Sequence, residues 1–268
     1  MSRADNSECD DEKYFQDYLH LYGLKNERLF RGEEEIIRFA ARDYKTPRLA
    51  FEIKKNECAL IVVDMQNDFV MPGSPIWIPE ATRQVPKIKH LITACRELRV
   101  PVIYTAHTVS PDCAGDFYEF CEPIRRGAVR EGSRGADIYS GLHPQKGERI
   151  VTAKHSYSAI LGTDLDYVLR NQDVKTVLVC GTITNFCVDS TARDAFGLGY
   201  HLVIISDCCS SDNPYCHQAT MDTFRCGWAR VLTEEELVSV LRKGDRAYDR
   251  RLLQTKTTPT KANSNEIE

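Results

Sequence analysis

Apolar residues along this chain occur in continuous runs rather than in strict alternation with polar ones. The four clearest runs are rich in β-branched residues and cover positions 59–63, 101–105, 176–180 and 201–206. Continuous apolarity is typical of strands that are covered on both faces. We therefore predict four buried strands at these positions.

The segments between these runs have apolar residues at helical spacing, at 85–98, 164–170 and 189–196. Two weaker strand patterns lie at 149–152 and 228–232. Strands that alternate with helices indicate parallel strands joined by helical crossovers. We predict an α/β fold: a doubly wound, mainly parallel six-stranded sheet with helices on both faces, which is a Rossmann-like three-layer sandwich.

A helix start signal follows the last of these strands. Thr233 precedes Glu236 by three residues, and these two residue types at this spacing form a capping box. The sequence therefore predicts that a helix begins at this point.

Both ends of the chain differ in character from the core. Residues 1–49 are charged and contain helical patterns, so we expect a helical appendage that could lie at a subunit interface. Residues 50–250 form the main domain. Residues 251–268 are polar and low in apolar content, which predicts a disordered tail.

Composition narrows the class of protein. Of 268 residues, 42% are hydrophobic and 28% are charged, and the formal net charge is −4. These values indicate a soluble enzyme with one sizeable core and no broad attraction to nucleic acid. No stretch approaches the roughly 20 apolar residues of a membrane span, so we expect no membrane partner. The chain has 11 cysteines, an odd number without zinc-ribbon spacing, which favours reduced thiols and a cytoplasmic location.

Three chemically capable residues follow predicted strands: Asp64, Lys154 and Cys187. Open α/β sheets bind ligands at the carboxyl ends of their strands. A cysteine at the start of a helix also has amide dipoles that favour its thiolate. Each residue has a structural interpretation as well, because the aspartate could cap a turn, the lysine could be a surface charge and the cysteine could be an inert apolar residue.

The motifs around these three residues favour the catalytic interpretation over the structural one. They are Asp-x-Gln-Asn-Asp-Phe at 64–69, Lys-x-x-Tyr-Ser-Ala at 154–159 and Gly-Thr-x-Thr-Asn-x-Cys-Val at 181–188. In this order and at these separations they resemble the isochorismatase-like, or cysteine hydrolase, superfamily, over about residues 56 to 240. The resemblance implies a catalytic triad of Asp64, Lys154 and Cys187.

The resemblance also implies how the triad would work. Asp64 would take the thiol proton of Cys187, the sulfur would form a thioester with the substrate, and Lys154 would stay charged beside both. The backbone amides of Ile183 and Cys187 would form the oxyanion hole, next to a non-proline cis peptide between Thr182 and Ile183.

Members of this superfamily differ in whether they bind a metal ion. In its nicotinamidase branch an Asp-x-His motif and a further histidine hold a metal ion. The matching stretch here is Thr105, Ala106 and His107, which lacks the carboxylate, and no histidine occurs between His107 and His143. We therefore predict no metal, and we interpret His107 as a pocket or core residue. Dinucleotide and Walker fingerprints are missing, so we expect no cofactor.

The motifs look most like those of N-carbamoylsarcosine, ureidoacrylate and biuret amidohydrolases. We therefore expect cleavage of a C–N bond in a small ureide, carbamoyl or amide substrate, with release of ammonia. Phe69, Tyr157, Asn185 and Phe186 are candidates for lining the pocket, although each could serve scaffold packing or a turn instead. The family commonly forms oligomers, so a homodimer or homotetramer is expected.

Three other interpretations stay open. The chain could be a nicotinamidase-type or isochorismatase-type hydrolase, or a non-catalytic family member that binds a small molecule or a partner. A thiol redox protein is a lesser alternative, prompted by the adjacent pair Cys208 and Cys209, but no Cys-x-x-Cys pair is present.

Overall fold

The computed structural model describes residues 51–110, 112 and 121–245. The predicted appendage at 1–49 and the predicted tail at 251–268 lie outside the described residues. The described residues all belong to the predicted main domain at 50–250.

The described residues contain one six-stranded sheet in which every pairing is parallel, with the order β3-β2-β1-β4-β5-β6. The strand bounds are β1 Cys58–Val63, β2 Val102–His107, β3 Arg149–Lys154, β4 Thr176–Thr182, β5 His201–Ser210 and β6 Arg230–Leu232. All six predicted strands are present, so the predicted fold class is confirmed.

Seven α-helices occur in the described part of the chain. Their bounds are α1 Asn67–Val70, α2 Pro79–Glu97, α3 Glu122–Arg125, α4 Leu165–Asn171, α5 Asp189–Gly197, α6 Pro214–Gly227 and α7 Glu234–Lys243. Short 3-10 helices lie at Lys55–Glu57, Arg134–Ala136 and Ser140–Leu142, and a π-helical turn lies at Thr184–Val188. None of the helices in these ranges has both the length and the apolar content to cross a membrane.

Two hydrophobic cores, one on each face of the sheet, explain the continuous apolar runs. Leu60 and Val62 of β1 pack into a cluster with residues of α2 and α7. Ala59, Ile61 and Val63 of the same strand pack into a second cluster with residues of α4, α5 and α6. Because successive side chains of a strand point to opposite faces, both sets must be apolar.

The helix boundaries differ in part from the sequence prediction. Helix α2 begins at Pro79, six residues before the predicted start at 85, because proline is well suited to the first turn, where its missing N–H has no helical partner. The helix also continues through Pro86. The predicted capping box at α7 is confirmed, since Thr233 Oγ1 accepts from the Glu236 amide and the Glu236 carboxylate accepts from the Thr233 amide.

The strand order reverses direction between β1 and β4. From β1 the chain continues to β2 and β3 on one side, whereas from β4 it continues to β5 and β6 on the other. Such a switch point opens a crevice at the carboxyl ends of the two strands. The residues that directly follow β1 and β4 are therefore brought to one place.

Gly181 allows these two strand ends to approach closely. It pairs with Val63, has a φ of 117°, and a Cβ at this position would lie 2.1 Å from the Val63 carbonyl oxygen. Only glycine adopts this backbone conformation without strain and leaves room for the neighbouring backbone.

We predict that Gly181→Ala lowers the free energy of unfolding by about 3 kcal/mol or more, because both the clash and the positive φ must be relieved. Urea denaturation of the variant and the wild type measures this. Gly197→Ala is the matched control, since a Cβ there meets nothing within 4 Å. In a helix this control should change stability by no more than about 1 kcal/mol. Equal effects of the two substitutions would contradict the prediction.

Candidate active site

The three residues singled out by the sequence converge at the carboxyl edge of the sheet. Asp64 directly follows β1, Lys154 is the last residue of β3, and Cys187 lies in the π-helical turn after β4. Lys154 Nζ lies 2.7 Å from Asp64 Oδ2 and 3.4 Å from Cys187 Sγ. All three side chains are buried, so the lysine is not a surface charge.

Asp64 is held through both of its carboxylate oxygens. Oδ2 accepts from Lys154, and Oδ1 accepts from the hydroxyl of Thr105 on β2 at 2.5 Å. The Asp64 backbone has a φ of 49°, and the residue that caps the following helix α1 is Gln66. The carboxylate therefore faces the other two residues of the group instead of capping that helix.

Lys154 is the only cation within hydrogen-bonding distance of Asp64 in the described residues. Burial alone would lower the pKa of its ammonium, but the adjacent Asp64 carboxylate and Cys187 sulfur outweigh burial and raise that pKa above its ordinary value. A buried charge is tolerated when it is paired and hydrogen-bonded in this way. Lys154 therefore stays charged.

Cys187 keeps its proton in the resting site. Burial raises the pKa of the thiol to about 12, and the Asp64 carboxylate adds to this increase, whereas Lys154 opposes it. The sequence had favoured a thiolate on the basis of helix dipoles. That expectation is wrong in this setting because loss of hydration outweighs the favourable charges. For this thiol to act as a nucleophile, a base would have to remove its proton.

His107, which the sequence indicated as a pocket or core residue, is buried beside Lys154, a contact that the sequence did not reveal. It ends β2, and its Nδ1 lies 3.3 Å from Lys154 Nζ and 3.2 Å from the Ser156 carbonyl oxygen. Burial, followed by the charge of Lys154, lowers its pKa to about 4, so the imidazole is neutral. Its position at the end of β2 was the available signal, since the ends of neighbouring parallel strands meet at one edge.

Gln66 joins the ends of β1 and β2. Its side-chain oxygen accepts from the His107 amide at 2.9 Å, and its Nε2 donates to the carbonyls of His107 and Ala136 at 2.8 and 2.7 Å. The glutamine of the first motif thus serves the backbone, and it places His107 beside Lys154.

Three of the four residues predicted to line the substrate pocket lie in the turn that carries Cys187 or against it, and the fourth, Phe69, lies in a hydrophobic core. The rings of Tyr157 and Phe186 lie 5.1 Å apart, and Phe186 is 38% exposed. Asn185 accepts a hydrogen bond from Ser211. Phe69 is buried in the core cluster that α2 covers, where it packs against apolar side chains. Contact with substrate stays a prediction for all four.

The turn that carries Cys187 has a compact backbone. The Thr182–Ile183 peptide bond is cis. The Ile183 carbonyl accepts from the amides of Phe186 and Val188 at 3.0 and 3.1 Å. The predicted role of the Ile183 and Cys187 amides toward an oxyanion stays a prediction.

Comparison with known proteins identifies the family of this chain. The model of the isochorismatase domain matches residues 58–236, which is the whole sheet with most of its helices. The chain belongs to the isochorismatase family. This confirms the resemblance seen in the three motifs.

Three proteins illustrate how similar this chain is to other members of the isochorismatase family. A protein named nicotinamidase 3 from Arabidopsis thaliana is 31% identical over 181 residues, covering 67% of this chain and 86% of that protein. A ureidoacrylate amidohydrolase of Rhizobium rhizogenes is 30% identical over 205 residues, covering 68% and 83%. The crystal structure of a cysteine hydrolase from Pseudomonas syringae pv. phaseolicola matches with a TM-score of 0.70 and 28% identity, covering 75% of this chain and 100% of that one.

The residues of the site do not suit a metal ion of the kind that one branch of the isochorismatase family holds. Asp64, His107 and Cys187 have potential ligand atoms within 4.8 Å of one another. Each of these side chains, however, contacts the charged Lys154 ammonium. A second cation among them would be repelled at close range, and both carboxylate oxygens of Asp64 are already engaged, one by Lys154 and the other by Thr105. These residues do not fit a resident metal ion.

The neutral state of His107 can be tested through the pH dependence of the free energy of unfolding. The pKa of His107 falls from 6.5 in the unfolded chain to about 4 in the folded protein. As pH falls below 6.5, the unfolded chain takes up the proton first, so the free energy of unfolding decreases between pH 6.5 and 4. The loss from this group reaches about 3 kcal/mol. His107→Gln should remove this part of the pH dependence, as measured by urea denaturation across that range.

The exposed histidine variant His143→Gln is the control for that experiment and should keep the wild-type slope. If His107→Gln also kept the wild-type slope, the imidazole would not be held neutral beside Lys154.

Proposed function

We propose that this member of the isochorismatase family is a cysteine-dependent amidohydrolase that cleaves a C–N bond in a small amide or ureide. The observation that carries the proposal is the contact of one buried ammonium, that of Lys154, with both a carboxylate and a thiol. A nucleophile, a base and a fixed positive charge are the groups that acyl transfer from nitrogen needs.

The first step couples attack with proton transfer. Because the thiol of Cys187 is protonated at neutral pH, Asp64 removes its proton while the sulfur attacks the substrate carbonyl carbon. The carbonyl π bond moves to the oxygen, and the amides of Ile183 and Cys187 stabilise the resulting negative charge. Lys154 stays charged and offsets the sulfur's negative charge as it develops.

The second and third steps release the products. The tetrahedral intermediate collapses, the C–N bond breaks, and Asp64 gives its proton to the departing nitrogen, which leaves an acyl group on Cys187. Asp64 then accepts a proton from water as the water oxygen attacks the thioester carbon. The C–S bond breaks, the acyl group leaves as the acid, and Asp64 returns the proton to the sulfur. A ureide whose terminal amino group departs yields ammonia and a carbamate, which loses carbon dioxide.

A ureide or carbamoyl compound is the proposed substrate class. The three motifs resemble carbamoyl-group hydrolases, and a ureidoacrylate amidohydrolase is among the relatives. Nicotinamide or another ring amide is the second candidate, since a nicotinamidase is among the relatives and the rings of Tyr157 and Phe186 offer a stacking surface.

A cytoplasmic homo-oligomer, a dimer or tetramer, is part of the same proposal. Eight cysteines in the described residues are free, which supports a reducing compartment. Light scattering coupled to size-exclusion chromatography measures the number of subunits.

We expect purified protein to release ammonia from one or more members of a panel of ureides, carbamoyl amino acids, biuret, ureidoacrylate, nicotinamide and simple amides. Cys187→Ala and Asp64→Asn should each lower kcat by about 10³-fold or more, because each removes a group that forms or breaks a bond. Cys95→Ala, at a buried cysteine of α2, is the matched control and should keep most of the activity. If Cys187→Ala were as active as Cys95→Ala, the thiol mechanism would be wrong.

Prolonged treatment with a chelator should leave kcat/KM within about twofold of the untreated value, because Lys154 already supplies the positive charge at the site. Lys154→Met should lower kcat by about 10²-fold or more, since the charge is lost from the transition state. Loss of activity on chelation, followed by recovery with added zinc, would overturn the interpretation of the site as metal-independent.

A further inference from the structure

The π-helical turn Thr184–Val188 (the cysteine turn) makes two side-chain hydrogen bonds on the side of β5 and α6. Ser211, the residue directly after β5, donates to Asn185 Oδ1 at 2.7 Å. His217 of α6 lies with its Nδ1 2.9 Å from Thr184 Oγ1. Thr184 and Asn185 are the first two residues of the turn. The start of the turn is therefore tied to both neighbouring elements.

The direction of the Ser211 hydroxyl follows from its surroundings. Two carbonyl-type oxygens lie within its reach, Asn185 Oδ1 at 2.7 Å and Asp212 Oδ1 at 3.2 Å. The shorter distance is the usual one for a hydrogen bond between a hydroxyl and an oxygen. Asp212 is also exposed, so water can serve its carboxylate. The Ser211 proton is therefore assigned to Asn185.

Ser211 and His217 share one support, the short connection between β5 and α6. The Asn213 amide donates to Ser211 Oγ at 3.2 Å. The Asn213 side chain caps α6, since its Oδ1 accepts from the amides of Tyr215 and Cys216 at 2.9 and 3.3 Å. A capped helix start is fixed in direction. The strand end that carries Ser211 and the helix that carries His217 are thus joined through one residue.

The end of β5 is also fixed on the side of α2. The buried Gln84 side chain of α2 donates to the Cys209 carbonyl at 2.7 Å. Ser210, the next residue, pairs with Thr182 at the end of β4. Ser211 therefore follows directly on a strand end that is tied to a helix and to the neighbouring strand.

The backbone of the cysteine turn is closed on itself, so a shift of its first residues reaches the sulfur. The Ile183 carbonyl accepts from the amides of Phe186 and Val188, on either side of Cys187, at 3.0 and 3.1 Å. The sulfur is buried and lies 3.4 Å from Lys154 Nζ. A shift would change both this distance and the access of water. Misplacement of a reacting group by about 1 Å can cost about 10²-fold in rate.

We propose that Ser211 and His217 are positioning residues for the sulfur of Cys187. Through their hydrogen bonds to the first two residues of the cysteine turn, they hold the sulfur beside Lys154 and Asp64 and keep water away from it. The part of this proposal that concerns turnover rests on the proposed function. The part that concerns the reactivity of the thiol does not.

The role of His217 is tested by the position of the polar atom. An asparagine amide places a polar atom near the position of the imidazole Nδ1, whereas a glutamine amide places one near Nε2. With the panel compound that is hydrolysed fastest, His217→Asn should keep kcat within about threefold, whereas His217→Gln and His217→Leu should lower it by about tenfold or more, with KM within about threefold of the wild type in all three.

The control for these variants is His90→Leu, which removes a histidine of α2 that is hydrogen-bonded to Glu234. It should keep the wild-type kcat. Equal losses in His217→Asn and His217→Leu would overturn the role of the Nδ1 contact.

The role of Ser211 is tested with a double-mutant cycle. Ser211→Ala should lower kcat by about tenfold or more, and adding it to Asn185→Ala should cause no further loss, because the two side chains share one hydrogen bond. Ser206→Ala, which removes a serine of β5 that donates to the Leu232 carbonyl, is the matched control and should keep the wild-type kcat. Additive losses would mean that Ser211 does not act through Asn185, which would refute its proposed role.

A second readout needs no turnover. Burial is the largest cause of the raised pKa of the Cys187 thiol, so a loosened turn that admits water should lower this pKa from about 12. Alkylation of Cys187 by iodoacetamide at neutral pH, followed by peptide mass spectrometry, should therefore be about threefold or more faster in Ser211→Ala and His217→Leu. Buried Cys180 of β4 is the internal reference and should keep its wild-type rate.

The combination of slower turnover and faster alkylation distinguishes positioning from a general loss of stability. General destabilisation would lower the thermal midpoint and speed the alkylation of Cys180 together with that of Cys187, and this result would refute the proposal. An unchanged alkylation rate of Cys187 in both variants would also refute it. If no panel compound is hydrolysed, the proposed function fails, while alkylation still tests whether Ser211 and His217 hold the thiol.

Discussion

The buried ion pair between Lys154 and Asp64 is the interaction on which the rest of the site depends. Both side chains have 0% exposure, and their charged atoms lie 2.7 Å apart. Removing one partner would leave the other as an uncompensated charge in the interior, which costs about 3–5 kcal/mol. The pair therefore ties the end of β3 to the end of β1 across the intervening β2. On β2, Thr105 contacts Asp64 and His107 contacts Lys154, so the intervening strand also holds the pair.

The same ion pair determines the chemistry that Cys187 can perform. Lys154 favours a thiolate, but Asp64 and burial disfavour it, and the balance leaves a protonated thiol. In the proposed mechanism, the charge of Lys154 is therefore not enough to make the thiol a nucleophile, and Asp64 acts as the base. A site of this kind holds a reactive group in a quiescent state until a substrate carbonyl is in position.

Much of this architecture was predictable from the sequence, because it depends on local patterns. Continuous apolar runs identified the strands, since a strand covered on both faces must be apolar on both. The contacts that complete the site were not predictable, because they join residues far apart in the chain: Thr105 bonds to Asp64 across 41 positions, and His107 reaches Lys154 across 47. Helix α2 was placed six residues late because apolar periodicity does not mark a start that Pro79 makes favourable.

The turn Thr184–Val188 is held from two sides by different means. On one side Lys154 contacts Cys187 through a charge. On the other side Ser211 and His217 hold Asn185 and Thr184 through neutral hydrogen bonds. Charge–charge contacts weaken slowly with distance, whereas hydrogen bonds between neutral groups are lost over a fraction of an ångström. Small displacements of the turn are therefore resisted mainly by Ser211, which directly follows β5, and by His217 of α6. The charges that act on the sulfur are those of Lys154 and Asp64.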